Sequence, residues 1–135
     1  MKPLRFIQVC SFGYKYGPPP LANMLYDMRF VKNPYYVEEL RPMTGADQPV
    51  ADFILEQDVS KRFLARLSDQ LTDMVSGWLD HGHDHETVTI AFGCTGGKHR
   101  SVCFAVVCLA ILHDVVAKLS PQTSVELIHR DLGRE

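Results

Sequence analysis

One segment of the sequence, residues 87–119, constrains the fold more than any other. It begins with a run of apolar and β-branched residues, 87–92, that is typical of a buried strand. A glycine-rich stretch, 93–100, then leads into a largely apolar run, 101–119, with the length of a helix. A strand that passes through a turn into a long helix is half of the crossover that joins two parallel strands. The segment therefore predicts an α/β fold.

The rest of the chain continues the same alternation of strands and helices. Residues 4–12, 24–30 and 124–129 are short and rich in apolar, β-branched or aromatic residues, as strands are. Residues 58–79 place their apolar side chains on one helical face and charged ones opposite. Residues 31–49 are interrupted by three prolines, and we expect them to be irregular. The pattern predicts a small central sheet of about four strands flanked by helices.

Composition narrows the class of protein. The chain has 135 residues, 46% apolar and 22% charged, so we expect one globular domain over residues 1–135 whose core needs no disulfide or metal. The longest apolar run, 102–112, is shorter than the roughly 20 residues that cross a bilayer, so we expect no membrane span and a cytoplasmic protein. Four cysteines without CxxC spacing suit reduced thiols: Cys10, Cys94, Cys103 and Cys108.

Charge is distributed unevenly along the chain. The net charge of −2 argues against a generally basic nucleic-acid binder. Yet residues 1–37 hold five Lys/Arg and one acid, residues 38–86 hold four and eleven, and residues 87–135 hold five and four. If the first and last thirds meet, six cations would share an anion-attracting face: Lys15, Arg29, Lys32, Lys98, Arg100 and Arg130. An alternative is chance together with an acidic, solvated helix.

The glycine-rich loop has the composition of an anion site. Backbone N–H groups in such a turn can point into one concavity, and the start of the following helix adds partial positive charge. Hydroxyl and cationic side chains in the same stretch suit phosphate oxygens. The predicted ligand-binding residues of the loop are Thr95, Gly96, Gly97, Lys98, His99, Arg100 and Ser101. A tight turn with exposed basic residues is the structural alternative.

Two nucleotide-binding motifs do not fit this loop. The P-loop pattern GxxxxGK[ST] fails because Phe92 stands at the first glycine and His99 follows Lys98. The dinucleotide pattern GxGxxG is absent from the loop. Hydrolysis of nucleoside triphosphates is therefore disfavoured, and no cofactor is expected.

A third motif remains an alternative. Cys94, Arg100 and Ser101 form C-x5-R-S, which resembles the signature of cysteine-dependent phosphatases, with a thiolate nucleophile and an arginine that holds phosphate oxygens. Gly93 replaces the histidine often found before such a cysteine. No aspartate is clearly placed as the general acid, although Asp27 and Asp47 are candidates.

Histidines and tyrosines supply two weaker signals. His81, His83 and His85 alternate and could ligate a transition metal, but a solvated hinge is the favoured interpretation. Four tyrosines near lysines could stack on bases or sugars, as in single-stranded RNA binders, or could simply anchor loops: Tyr14, Tyr16, Tyr35 and Tyr36.

Six sequence blocks, in order along nearly the whole chain, resemble the C-terminal domain of the RapZ family. They are SFGYKYG (11–17), YDMRFVKNP (26–34), LRPMTG (40–45), QPVADF (48–53), GCTGGKHRSV (93–102) and HRDL (129–132). The resemblance implies an α/β domain like a sugar-phosphate-binding subdomain of phosphofructokinase. It also implies a basic pocket for a phosphorylated amino sugar, and binding of small RNAs that are presented to a ribonuclease.

The resemblance also assigns roles to particular residues. It places Lys15 in the anion pocket with the loop residues Thr95, Gly96, Gly97, His99 and Arg100. Residues expected at the pocket rim or on an RNA surface are Arg29, Lys32, Tyr35, Arg41, His129 and Arg130. Tyr35 departs from the family, which commonly has histidine after its Asn-Pro. The family's N-terminal kinase-like P-loop domain is not expected here, so its ATPase or GTPase activity is not transferred.

The loop and the resemblance together predict a regulatory, non-catalytic domain that binds a phosphorylated small molecule or another anion and that contacts small RNA or a protein partner. A cysteine-dependent phosphatase that uses Cys94 and Arg100 is the first alternative. An oligomerisation module that has lost ligand binding is the second. The apolar helix is suited to burial in the domain or at a subunit contact, and we expect a homo-oligomer.

Overall fold

Four parallel strands form the central sheet of the computed structural model, which describes residues 3–82 and 86–134. The strands are β1 (Phe6–Gly13), β2 (Met24–Asp27), β3 (Thr87–Cys94) and β4 (Ser124–His129), and the helices are α1 (Gln48–Leu55), α2 (Asp58–His81) and α3 (Arg100–Leu119). Short 3-10 helices cover Tyr14–Tyr16 and Pro34–Tyr36. The strand order is β2-β3-β1-β4. The predicted α/β fold with a four-stranded sheet and flanking helices is confirmed.

Helix α3 is the centre of the core. It packs against β1, β3, β4 and α2, and ten of its residues are buried. By length and composition alone α3 would be long enough to cross a bilayer, but its contacts with the sheet account for its apolar character. Burial among these apolar side chains raises the pKa of the Cys103 and Cys108 thiols to about 12.

Helix α1 is not predicted from the sequence, because residues 48 and 49 were expected to close an irregular segment. Pro49 lies in the first turn of α1, where its missing N–H costs no hydrogen bond. Val50 and Ile54, one helical turn apart, are fully buried. A proline that suggests a loop therefore marks the start of a helix.

Strand β2 ends at Asp27, so the prediction of a strand up to residue 30 is wrong. The Asp27 carboxylate accepts a hydrogen bond from the Arg29 N–H at 3.0 Å, a local bond that turns the chain. The Met28 N–H donates to the Gly93 carbonyl at 2.7 Å. The side chain of Met28 is then buried in the core, and the chain leaves the sheet.

Candidate anion-binding cleft

A cleft of about 370 Å³ lies at the carboxyl ends of the strands, where the loop between β3 and α3 faces the segment that precedes α1. Parallel pairing brings Gly13, Asp27 and the β3 terminus to this one edge. Ligands of open α/β sheets bind at this edge. The cleft is lined by Lys15, Asn33, Tyr35, Tyr36, Arg41, Cys94, Thr95, Gly96, Lys98, His99 and Arg100. Most of the predicted loop residues therefore meet Lys15, Tyr35 and Arg41 in one place.

Close backbone contact holds the glycine-rich loop against the end of β1. Gly97 has φ of +68°, and a Cβ placed there would lie 2.7 Å from the Gly13 nitrogen. Lys15 follows Gly13 by two residues, and its N–H donates to the Thr95 carbonyl at 3.2 Å. Glycine is required at position 97 by both its left-handed conformation and this approach.

Arg100 begins α3 and is 95% buried. Its Nη1 donates to the carbonyl oxygens of Arg29 at 3.1 Å and Val31 at 2.9 Å. Its Nε is buried and is one of two side-chain N or O atoms in the described part of the chain that are buried without a hydrogen-bond partner, the other being Ser60 Oγ. A buried guanidinium N–H normally has an acceptor, and Arg100 is one of the residues that line the cleft.

His99 precedes Arg100 and is equally buried. Its Nε2 lies 3.2 Å from the carbonyl oxygen of Arg41, which ties the start of α3 to the far wall of the cleft. Burial lowers the pKa of His99, and the nearby Lys98 charge acts in the same direction, although contact with the Arg41 carbonyl opposes them. The ring is therefore held toward its neutral form.

Aromatic residues and one arginine form the rim of the cleft. Tyr36 is 79% exposed and its ring meets that of Tyr35 edge to face at 5.6 Å. The guanidinium of Arg41 lies 4.7 Å from the Tyr35 ring centroid, and its Nε donates to the Tyr35 carbonyl at 2.9 Å. Asn33 was missed as a cleft residue, although Asn before Pro is the signal of a capped helical turn: its side chain accepts the Tyr35 N–H.

Two predicted rim cations lie outside the lining of the cleft. Arg29 forms an ion pair with Asp27 at 2.7 Å, and its guanidinium stacks 3.9 Å from the Tyr14 ring centroid. The Arg29 hydrogen bonds hold the pKa of the Asp27 carboxyl below its ordinary value. The Lys32 N–H donates to the Gln57 side chain, and Lys32 does not line the cleft.

Four other predicted site residues are not among those that line the cleft: Gly97, Ser101, His129 and Arg130. Ser101 accepts a hydrogen bond from the Cys94 thiol at 3.2 Å and donates its N–H to the same sulfur at 3.4 Å. His129 Nδ1 lies 2.6 Å from Ser11 Oγ, and burial lowers its pKa.

The predicted histidine cluster is only partly covered by the structure. His81 ends α2 and lines a separate cavity with Leu4 and Trp78. His83 and His85 lie outside the described residues. Within residues 3–82 and 86–134, no group of three His, Cys, Asp or Glu side chains is arranged to hold a metal ion.

A parallel sheet whose carboxyl edge bears a cationic cleft at a helix N-terminus is the architecture of α/β domains that bind ligands at this edge. The family model described as the RapZ C-terminal domain matches residues 5–133, and the chain belongs to this family. The predicted resemblance is confirmed.

Individual relatives agree with this assignment. The chain is 41% identical over 133 residues to a protein of Lactobacillus delbrueckii subsp. bulgaricus, covering 98% of the chain and 42% of the relative. It is 46% identical over 128 residues to one of Thermobifida fusca, covering 94% and 40%, and 43% identical over 129 residues to one of Mycobacterium marinum, covering 96% and 40%. Each is named "Nucleotide-binding protein". The chain thus spans about two fifths of the length of these relatives.

Proposed function

We propose that this chain is a regulatory domain whose cleft binds the phosphate group of a small phosphorylated molecule. The observation that carries the proposal is the buried Arg100 Nε, a guanidinium donor that faces no protein acceptor in the described structure. A phosphate oxygen would satisfy it with a charge-assisted hydrogen bond. Lys15 and Lys98 line the same cleft, and the α3 N-terminus adds partial positive charge.

Binding without turnover is favoured by the state of the groups that a phosphatase would use. The Cys94 side chain is buried, and its sulfur lies 3.2 Å from the Ser101 hydroxyl. Asp27, one of the two candidate acids, has a lowered pKa because Arg29 binds its carboxylate, so it holds no proton to donate at neutral pH. Asp47, the other, accepts the Thr44 N–H at 2.8 Å. A regulatory domain that senses a metabolite in the cytoplasm needs none of these groups to react.

Titration of the protein with inorganic phosphate tests the proposal. We expect saturable binding, and at 100 times its dissociation constant the phosphate should stabilise the fold by roughly 2.7 kcal/mol. An amino-sugar phosphate, which the family resemblance implies, and a nucleoside monophosphate, which the names of the relatives suggest, should then be compared. The absence of any phosphate-dependent shift in unfolding temperature would contradict the proposal.

The variant Cys94→Ser separates binding from catalysis. It replaces the thiol by a hydroxyl of similar size, so we expect phosphate affinity to change by less than about twofold, because the charged donors remain. The wild type should release no phosphate from an aryl phosphate such as p-nitrophenyl phosphate. Release that disappears in Cys94→Ser would instead support the cysteine-dependent phosphatase.

A second function, binding of single-stranded RNA, is favoured by the rim. Tyr36 is largely exposed beside the Arg41–Tyr35 stack, and base stacking on an exposed ring contributes about 1–3 kcal/mol per base. We infer that Tyr36 takes a base next to the phosphate cleft, and on the family resemblance the RNA would be presented to a ribonuclease.

Filter binding of a small RNA tests this second function. Affinity should fall steeply as salt is raised, because phosphate contacts release counterions. Tyr36→Ala should weaken binding about tenfold, whereas Tyr36→Phe, which keeps the ring, should not. Affinity that is independent of salt would remove RNA from the list of ligands.

A further inference from the structure

A buried carboxylate lies directly behind the end of strand β1. Asp131 follows β4 by two residues and its side chain is fully buried. Its Oδ2 accepts the Gly13 N–H at 2.7 Å and pairs with Arg130 Nη2 at 2.9 Å, and its Oδ1 lies 3.4 Å from Arg134 Nε. Burial alone would raise the pKa of Asp131, but the bonds from Arg130 and Gly13 and the Arg134 charge together hold it below its ordinary value.

Arg130, which pairs with Asp131, also contacts the backbone at and after the end of β1. Its Nη1 donates to the Pro18 carbonyl at 2.6 Å, and its Nη2 lies 3.4 Å from the Gly13 carbonyl oxygen. Its backbone N–H donates to the Ser11 carbonyl at 2.9 Å. The guanidinium that the sequence suggested as an RNA or rim contact is thus bound to the segment that follows β1.

Gly13 connects the cluster of Asp131, Arg130 and Arg134 to the glycine-rich loop 93–100, which we call the anion-binding loop. A Cβ on Gly13 would lie 2.6 Å from the Gly96 carbonyl carbon and 2.7 Å from the Gly97 nitrogen. The nitrogen of Gly13, which donates to Asp131, is the atom nearest to a Cβ placed on Gly97. With so little space between the two backbones, a displacement of Gly13 must displace the loop.

We propose that Asp131 is a positioning residue for the anion-binding loop, acting through the Gly13 backbone. The carboxylate fixes the Gly13 N–H by a hydrogen bond, and the Gly96–Gly97 peptide packs directly against Gly13. Asp131 itself touches no ligand. The inference rests on the proposed function, because the loop position matters for ligand affinity only if the cleft binds an anion.

The test is Asp131→Asn, read by two-dimensional ¹⁵N–¹H NMR and by titration with inorganic phosphate. Without ligand, the amide resonances of Gly96 and Gly97 should shift, although neither residue touches position 131. Phosphate affinity should fall about tenfold. Asp52→Asn is the matched control, since it removes the same charge from an exposed position on α1 and should change neither measurement.

The outcomes separate this inference from the proposed function. If the wild type binds no phosphate but Asp131→Asn still moves the Gly96 and Gly97 amides, the proposed function fails and the positioning role stands. If the wild type binds and Asp131→Asn binds equally, with unchanged loop amides, the positioning role is overturned.

Val75→Ala, a core change in α2, tests whether a loss of stability alone could explain weaker phosphate binding by Asp131→Asn. It should lower the unfolding temperature while leaving phosphate affinity intact. If Asp131→Asn does not fold, Asp131→Glu serves instead, since it keeps the charge but moves the carboxylate by one methylene. It too should shift the loop amides and weaken phosphate binding, and unchanged values would overturn the inference.

Discussion

Replacing Arg100 by alanine should lower the affinity for inorganic phosphate by about 100-fold. The change removes the buried Nε donor and the one guanidinium in the cleft that is fixed in place by two backbone carbonyls. Hydrogen bonds to charged groups contribute about 1.5–3 kcal/mol each, and each 1.4 kcal/mol corresponds to tenfold in affinity. Isothermal titration calorimetry on the folded variant would measure the loss.

Two further variants test whether the Arg100 guanidinium itself causes the expected loss of phosphate affinity. Arg100→Lys keeps the charge but not the planar fork, so it should fall between the wild type and Arg100→Ala. Arg62→Ala removes an exposed arginine from α2 and should leave phosphate affinity unchanged. Arg100→Ala should also unfold at a lower temperature, since the carbonyl oxygens of Arg29 and Val31 lose their donor. Phosphate affinity within twofold of the wild type in Arg100→Ala would contradict the proposed site.

Replacing Gly45 by alanine should destabilise the fold by about 3 kcal/mol, at the upper end of the cost of overpacking. A Cβ there would lie 2.1 Å from the His99 carbonyl oxygen and 2.5 Å from the Cys103 nitrogen, two atoms that form a hydrogen bond in the first turn of α3. Neither is a flexible side chain that could move aside. The Gly45 N–H also donates to the Lys98 carbonyl at 2.9 Å. Phosphate affinity should therefore fall as well, because Lys98 and His99 line the cleft.

The matched control for this variant is Gly77→Ala. Gly77 lies inside α2, and a Cβ there meets no atom within 4 Å. Alanine should stabilise the helix by roughly 0.5–1 kcal/mol, because it restricts the unfolded chain more than glycine does. Urea denaturation would give the free energy of unfolding of both variants. Equal stability of the two alanine variants would contradict the close contact between Gly45 and the first turn of α3.

The alternation of strands and helices could be predicted from the sequence because burial leaves a local pattern. The strand at Ser124–His129 has the predicted bounds, and α2 and α3 follow the predicted runs closely. Helix α1 was missed because two turns of amphipathic helix that start with a proline resemble a loop. Strand β2 was predicted too long because the bond between Asp27 and the Arg29 N–H, which ends it, has no periodic signal.

The sequence by itself determined the α/β class, the family and the place of the glycine-rich loop between β3 and α3, because hydrophobic periodicity and glycine-rich turns depend on neighbouring residues. Only the tertiary structure decided which side chains face the cleft. Arg100 meets the Val31 carbonyl from 69 positions away, and His99 meets that of Arg41 from 58. Arg130, predicted at the pocket rim or on an RNA surface, forms an ion pair with the buried Asp131. Strand order, with β2 and β1 on either side of β3, brings these distant groups together, and local patterning carries no information about such pairings.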